Sequence, residues 1–179
     1  MIFSTLTDVA IEALDRDRAA LRAVAQPMLT HFHLPLAAID AETSKAALEK
    51  LLPVEIYNMP TLYQIDIKGD NATPALLDAF DLGRKINAHR RYSRRHGHLK
   101  TTLYVGRSNK IVTRLNEHLG FGYDKTYALN LKWWASTRID EVVVACASYP
   151  KGTSAGVMGH LEDALAAVAH PMFGRRGSV

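Results

Sequence analysis

Cys146 is the only cysteine in this 179-residue chain, so neither an internal disulfide nor a metal site built from several cysteines can form. It stands in a β-branched run and reads as a small buried hydrophobe. Long apolar runs are missing too. The stretch from Val142 to Ala147 falls far short of the roughly 20 residues that cross a bilayer, so no membrane span is expected. The first residues, Met1 to Ala10, lack a basic leader and carry Asp8 where a signal peptide wants an apolar block, which makes the expected location cytoplasmic. Internal repeats and low-complexity tracts are absent. What remains is ordinary globular material, 47% apolar and 22% charged, enough for one core with a modest extension.

Charge is unevenly placed. Of the 22 Lys and Arg, ten fall between Arg84 and Arg114, a stretch with no Asp or Glu, leaving 12 basic against 18 acidic residues elsewhere. A localised basic segment suits a phosphate backbone, because each neutralised phosphate releases counterions. Nucleic acid is therefore the expected partner, DNA ahead of RNA. Within this segment Arg90, Arg91, Arg94 and Arg95 flank Tyr92 and Ser93, and His96, His98 and Lys100 follow. Like charge at this density predicts a mobile loop that binds backbone phosphates.

Periodicity predicts the elements. Ile11, Leu14, Leu21 and Val24 mark an N-terminal helix ending by Pro27, and Ser44 to Leu52 a second one. Pro35, between them, marks a loop. Thr61 to Lys68 alternates as a strand with Tyr63, Ile65 and Ile67 on one face. Asn71 to Asn87 is helical, Thr101 to Val105 a strand, and Asn109 to Leu119 an amphipathic helix stopped by Gly120. Tyr127 to Ala135 is expected to be helical, Glu141 to Ser148 a buried strand, and Gly156 to Val168 a final helix before Pro171 and Gly174. The expected fold is α/β (α+β): a small, mostly antiparallel three-stranded sheet flanked by helices. Residues 1–57 form an N-terminal helical extension suited to homodimerisation, and residues 58–179 the domain proper, with a basic insertion at about 69–99.

Four features of the second region resemble the GIY-YIG nuclease family. Thr61-Leu62-Tyr63-Gln64-Ile65 is similar to the first signature strand and Tyr104-Val105-Gly106 to the second. Arg114 stands ten residues after Tyr104 and His118 four beyond that, as in the family, and one helix face carries both. Glu162, in His160-Leu161-Glu162-Asp163, matches the metal-binding glutamate, with Pro171 nine residues on. Thr61 and Leu62 replace the usual Gly and Ile, Gly174 stands where the family has asparagine, and the two tyrosines are unusually far apart.

The resemblance implies a metal-dependent endonuclease that hydrolyses DNA. Tyr63, Tyr104, Arg114, His118 and Glu162 would be catalytic, and Glu162 would hold Mg²⁺ or Mn²⁺. Arg107, Lys110, Arg90, Arg91, Arg94, Arg95 and Lys100 would bind phosphate or nucleic acid. Arg114 would fork onto the phosphate, and His118 would shuttle a proton or bind phosphate. Either tyrosine could activate water, provided that positive charge lowers its pKa from about 10. Restriction, defence, mobile-element and repair roles all remain open. A catalytically silent nucleic-acid-binding module and a nuclease toxin or effector are the alternatives.

Overall fold

The computed structural model describes residues 2–69 and 73–174, in side-chain detail from residue 7 on. Along the chain run α1 (Ile2–Arg22), β1 (Met28–Pro35), α2 (Ser44–Leu51), β2 (Thr61–Ile67), α3 (Pro74–Ile86), β3 (Arg94–Arg95), β4 (Thr102–Ser108), α4 (Ile111–Leu119), β5 (Glu141–Ser148), α5 (Ala155–Ala169) and β6 (Phe173–Gly174). Asn71 and the last five positions of the expected domain, 175–179, lie outside the described residues.

The three expected strands are adjacent: β2 is central and pairs antiparallel with β4 on one side and β5 on the other. The sheet is nevertheless six-stranded, in the order β1-β5-β2-β4-β6-β3, rather than three-stranded. One added strand, β1, comes from the segment expected to be only helix and loop. Phe32 and Leu34 alternate inward there with exposed His31 and His33, and the strand pairs antiparallel with β5 from Met28↔Ser148 to Pro35↔Glu141. Pro35 closes this edge strand, a position where its missing N–H costs nothing. Residues 1–57 are therefore not a purely helical extension.

The other additions are β6, which meets β4 in parallel at Tyr104↔Phe173, and β3, which pairs antiparallel with β6. They tie down the arginine-rich segment that charge density alone predicts to be mobile. Its anchor is an aromatic cluster. Phe80 of α3 is fully buried, stacked on Phe173 at 4.2 Å between ring centroids and edge-on to Tyr92 and Trp134. Burying such a ring contributes about 1.5–3 kcal/mol, enough to offset repulsion between partly solvated arginines. The arginines also find counter-partners distant in sequence: Arg95 pairs with Asp81, Arg90 lies over Trp133 and Arg91 over Tyr127. The helix expected over Tyr127 to Ala135 is only a 3-10 turn at Leu131–Trp133. Asn130 precedes it in the left-handed region at φ 55, which a continuous helix cannot accommodate.

Helices cover both faces. Tyr63, Ile65 and Ile67 point into the larger core with Ile111, Leu115 and Leu119 of α4, while Leu62 and Val105 meet Met158 and Leu161 of α5 on the other face. Gly120, at φ 99, caps α4, and Ser154 caps α5 by accepting from the Val157 N–H. On the outer side α1 reaches α5 through Asp17 and His160. Among the described residues no helix is long and apolar enough to cross a membrane.

Candidate active site

Two strands and one helix converge at the core of the site. Tyr63 and Tyr104 sit on β2 and β4, with rings nearly parallel and centroids 6.0 Å apart. Between them lies Gly106, paired with Tyr63 across the ladder. A Cβ on Gly106 would stand 2.6 Å from the Tyr104 ring and 2.7 Å from the Tyr63 oxygen. Glycine is required there by space.

From α4, Arg114 donates through Nε to the Tyr63 oxygen at 3.0 Å and through Nη2 to the Tyr104 oxygen at 3.2 Å. Nη2 also donates to the Tyr127 carbonyl at 2.9 Å, and Nη1 to Glu117 at 2.8 Å. Glu117, three residues on from Arg114, escaped the sequence reading, although i,i+3 spacing of opposite charges was the available signal. Burial works against the Arg114 charge, yet the two tyrosine oxygens and Glu117 outweigh it and raise its pKa. Arg114 is a fixed cation aimed by its neighbours.

His118 is buried at the i+4 position. The Leu129 N–H donates to its Nδ1 at 3.2 Å, so a neutral ring carries its proton on Nε2, which donates to the Tyr63 oxygen at 2.9 Å. Burial, with Arg114 close by, pushes the His118 pKa well below its usual value. The imidazole is therefore a neutral donor, which argues against a proton shuttle and against anion binding. Burial raises the Tyr63 pKa well above its usual value, and Arg114 opposes this only in part.

Tyr104 differs in lining a cavity of about 660 Å³ with Tyr92, Ser93, Arg94, Arg107, Arg114, Thr126, Tyr127, Glu162 and Gly174. Tyr63, 1% exposed, lies behind this wall. The cavity lies beside the pairing of β4 with β6 at Tyr104↔Phe173. Arg107 reaches from β4 to α5, where its Nε meets Glu162 at 3.0 Å, its Nη1 donates to the Ala155 carbonyl and its guanidinium packs over Gly159. Arg107 is exposed and Glu162 part-buried, so this pair is more readily exchanged than the Arg114 cluster.

Among the described residues Glu162 is the one carboxylate lining the cavity. Among the described residues no three His, Cys, Asp or Glu side chains gather to hold an ion. Such a donor set does not suit a closed zinc-type site. It fits a hydrated hard cation that draws most of its shell from water and bound phosphate.

Of the expected phosphate-binding residues, only Arg94 and Arg107 line the cavity. Arg90, Arg91 and Arg95 are engaged at Trp133, Tyr127 and Asp81, and exposed Lys100 and Lys110 are not among its lining residues. Ser93, Thr126 and Tyr127 were not anticipated, because their placement depends on backbone bonds between residues 91–93 and 124–128, which carry no periodic signal. No family model matches this chain, and no curated protein or solved structure matches it.

Proposed function

We propose that this protein is a metal-dependent endonuclease of the GIY-YIG type, a cytoplasmic enzyme that hydrolyses DNA phosphodiester bonds. The observation carrying the proposal is the single guanidinium of Arg114, held on both tyrosine oxygens at the wall of a cavity that also presents Arg107 and Glu162. Phosphodiester hydrolysis needs an oriented water, compensation for charge growing on the non-bridging oxygens, and help for the leaving oxygen.

Each need has a candidate. The Tyr104 oxygen, at the cavity wall, would accept from a water there. Arg114, already desolvated and aimed, would compensate the phosphoryl charge without reorganising during the reaction. Tyr63 and His118 are positioning residues that fix the Arg114 fork from behind. Glu162 would hold Mg²⁺ or Mn²⁺, which polarises the phosphoryl group and stabilises the leaving oxygen when bound. Arg107 must then exchange its carboxylate partner for a phosphate oxygen.

That exchange also motivates a second reading. The Arg107–Glu162 pair neutralises the metal-site carboxylate, as would suit a nucleic-acid-binding module that no longer cuts. Plasmid, single-stranded DNA and RNA, each incubated with Mg²⁺, with Mn²⁺ and with EDTA, separate the two. The nuclease reading expects metal-dependent cleavage that Glu162→Ala abolishes while the far-ultraviolet spectrum stays the same and the melting temperature changes little, because a partly solvated ion pair contributes only about 0–1 kcal/mol to stability. Binding without cleavage under every metal condition would establish the silent module.

A further inference from the structure

One wall of the cavity meets the Arg114 cluster through the Tyr127 carbonyl, and its side chains have the chemistry of a second subsite. It comes from β3 and the segment before it. The Arg91 N–H donates to the Asp124 carbonyl and the Ser93 N–H to the Ala128 carbonyl, both at 2.9 Å, which fastens residues 91–93 to residues 124–128. Strand alternation then divides the two arginines of β3: Arg95 turns to Asp81 on α3, whereas Arg94 lines the cavity. Arg94 is exposed and, among the described residues, has no acidic partner.

Beside it, Ser93 is 3% exposed, and its Oγ lies out of reach of water with no hydrogen-bond partner. A buried hydroxyl left in that state costs about 1–3 kcal/mol, and native structures retain few such groups without a reason. Serine has three staggered side-chain positions. An acceptor entering the cavity would select the one that pairs the hydroxyl. At the same wall Tyr127 is 61% exposed although large and aromatic. The Arg91 guanidinium lies 5.4 Å from its ring centroid and restrains the ring.

We infer that Ser93, Arg94 and Tyr127 hold an unpaired nucleotide next to the scissile phosphate, so that the substrate strand is single or locally opened DNA. This rests on the nuclease reading and names its substrate class. Arg94 takes the neighbouring phosphate, and Ser93 donates to one of that phosphate's oxygens or to the sugar. Tyr127 stacks on the base. β3 lies two ladder spacings from β4, on the order of 10 Å, so a strand crossing from Tyr104 passes this wall. A base inside a duplex already has both faces stacked and offers none to Tyr127. An unpaired base does, and such stacking tolerates any sequence.

The test is fluorescence anisotropy of the full chain in EDTA, with a labelled oligothymidylate and a labelled duplex hairpin as probes. Wild type is expected to bind oligothymidylate at least about tenfold more tightly than the hairpin. Tyr127→Ala should lose about fivefold or more in affinity for oligothymidylate, and with it most of the preference. Arg94→Gln should flatten the salt slope on oligothymidylate by about 0.7. Ser93→Ala should weaken binding by roughly fivefold while leaving the melting temperature unchanged or higher, which a purely structural serine would not do. Equal affinity for the two probes, variants that bind like wild type, or losses that track a fall in melting temperature would each overturn the subsite. Metal-dependent cleavage by wild type, scored separately, decides the nuclease reading: cleavage without a strand preference sinks the subsite alone, and preference without cleavage sinks the nuclease alone.

Discussion

The inner and outer halves of the cavity are built on opposite principles. Inside, Tyr63 and His118 are buried and Arg114 is part-buried, and each polar tip is held by neighbours whose own positions are fixed by strand and helix backbone. Outside, Arg107, Glu162 and Arg94 are partly solvated, and the one salt bridge among them can exchange. A cation that must meet charge developing in a transition state gains from being desolvated and immobile. Groups that must admit and release a strand and a metal gain from the reverse. The same residue type, arginine, serves both tasks, and its surroundings decide which.

The sharpest way to break this contrast is Arg114→Lys, which keeps the charge and loses the planar fork. Cleavage is expected to fall by at least about a hundredfold, the scale of one lost transition-state donor, in single-turnover assays at saturating DNA. Wild-type turnover in that variant would mean that the inner cluster is only structural.

Next comes the pair of tyrosines. Tyr63→Phe leaves two buried donors, Arg114 Nε and His118 Nε2, without their acceptor and should cost about 1–3 kcal/mol of stability. Tyr104→Phe should cost little stability and at least about tenfold in cleavage. Urea denaturation beside cleavage rates reads both, and the reverse pattern would exchange their roles.

The smallest effect is on pH. In the unfolded chain the His118 imidazole takes up a proton near pH 6.5, whereas the buried ring resists it. Its contribution to stability is therefore complete above that pH and lost as pH falls below it, by up to about 1.4 kcal/mol per pH unit. His118→Gln should flatten this decline in urea titrations between neutral and mildly acidic pH. An unchanged slope would show that the ring is charged in the folded protein.

How legible was this in the sequence? The strand around Tyr63 and the helix bearing Arg114 could be read because each combines periodicity with clear stops, and the strand at Val142 to Ala147 because its run is β-branched and apolar. The i,i+4 placement of Arg114 and His118 followed from helix geometry alone. The protonation state of His118 did not, since the Leu129 N–H that fixes it comes from an irregular segment. β1 was missed because only Phe32 and Leu34 are buried in it, between prolines. β3 and β6 have two residues each and exist only through partners far along the chain. The contacts of the arginine-rich segment likewise depend on Phe80, Asp81, Trp133 and Tyr127, which no local window contains.

The strand order has a consequence for how the molecule comes to be folded. β1 and β2 do not pair with each other; both pair with β5, whose first residue is Glu141. Two ladders must wait for a segment dozens of residues downstream, and loop closure over such distances is costly before any contact rewards it. Formation on the millisecond-to-second scale is the expectation for a sheet of this kind. During that interval the apolar run Val142 to Ala147 has both edges open, so concentration during refolding, more than the final stability, sets the yield of active protein.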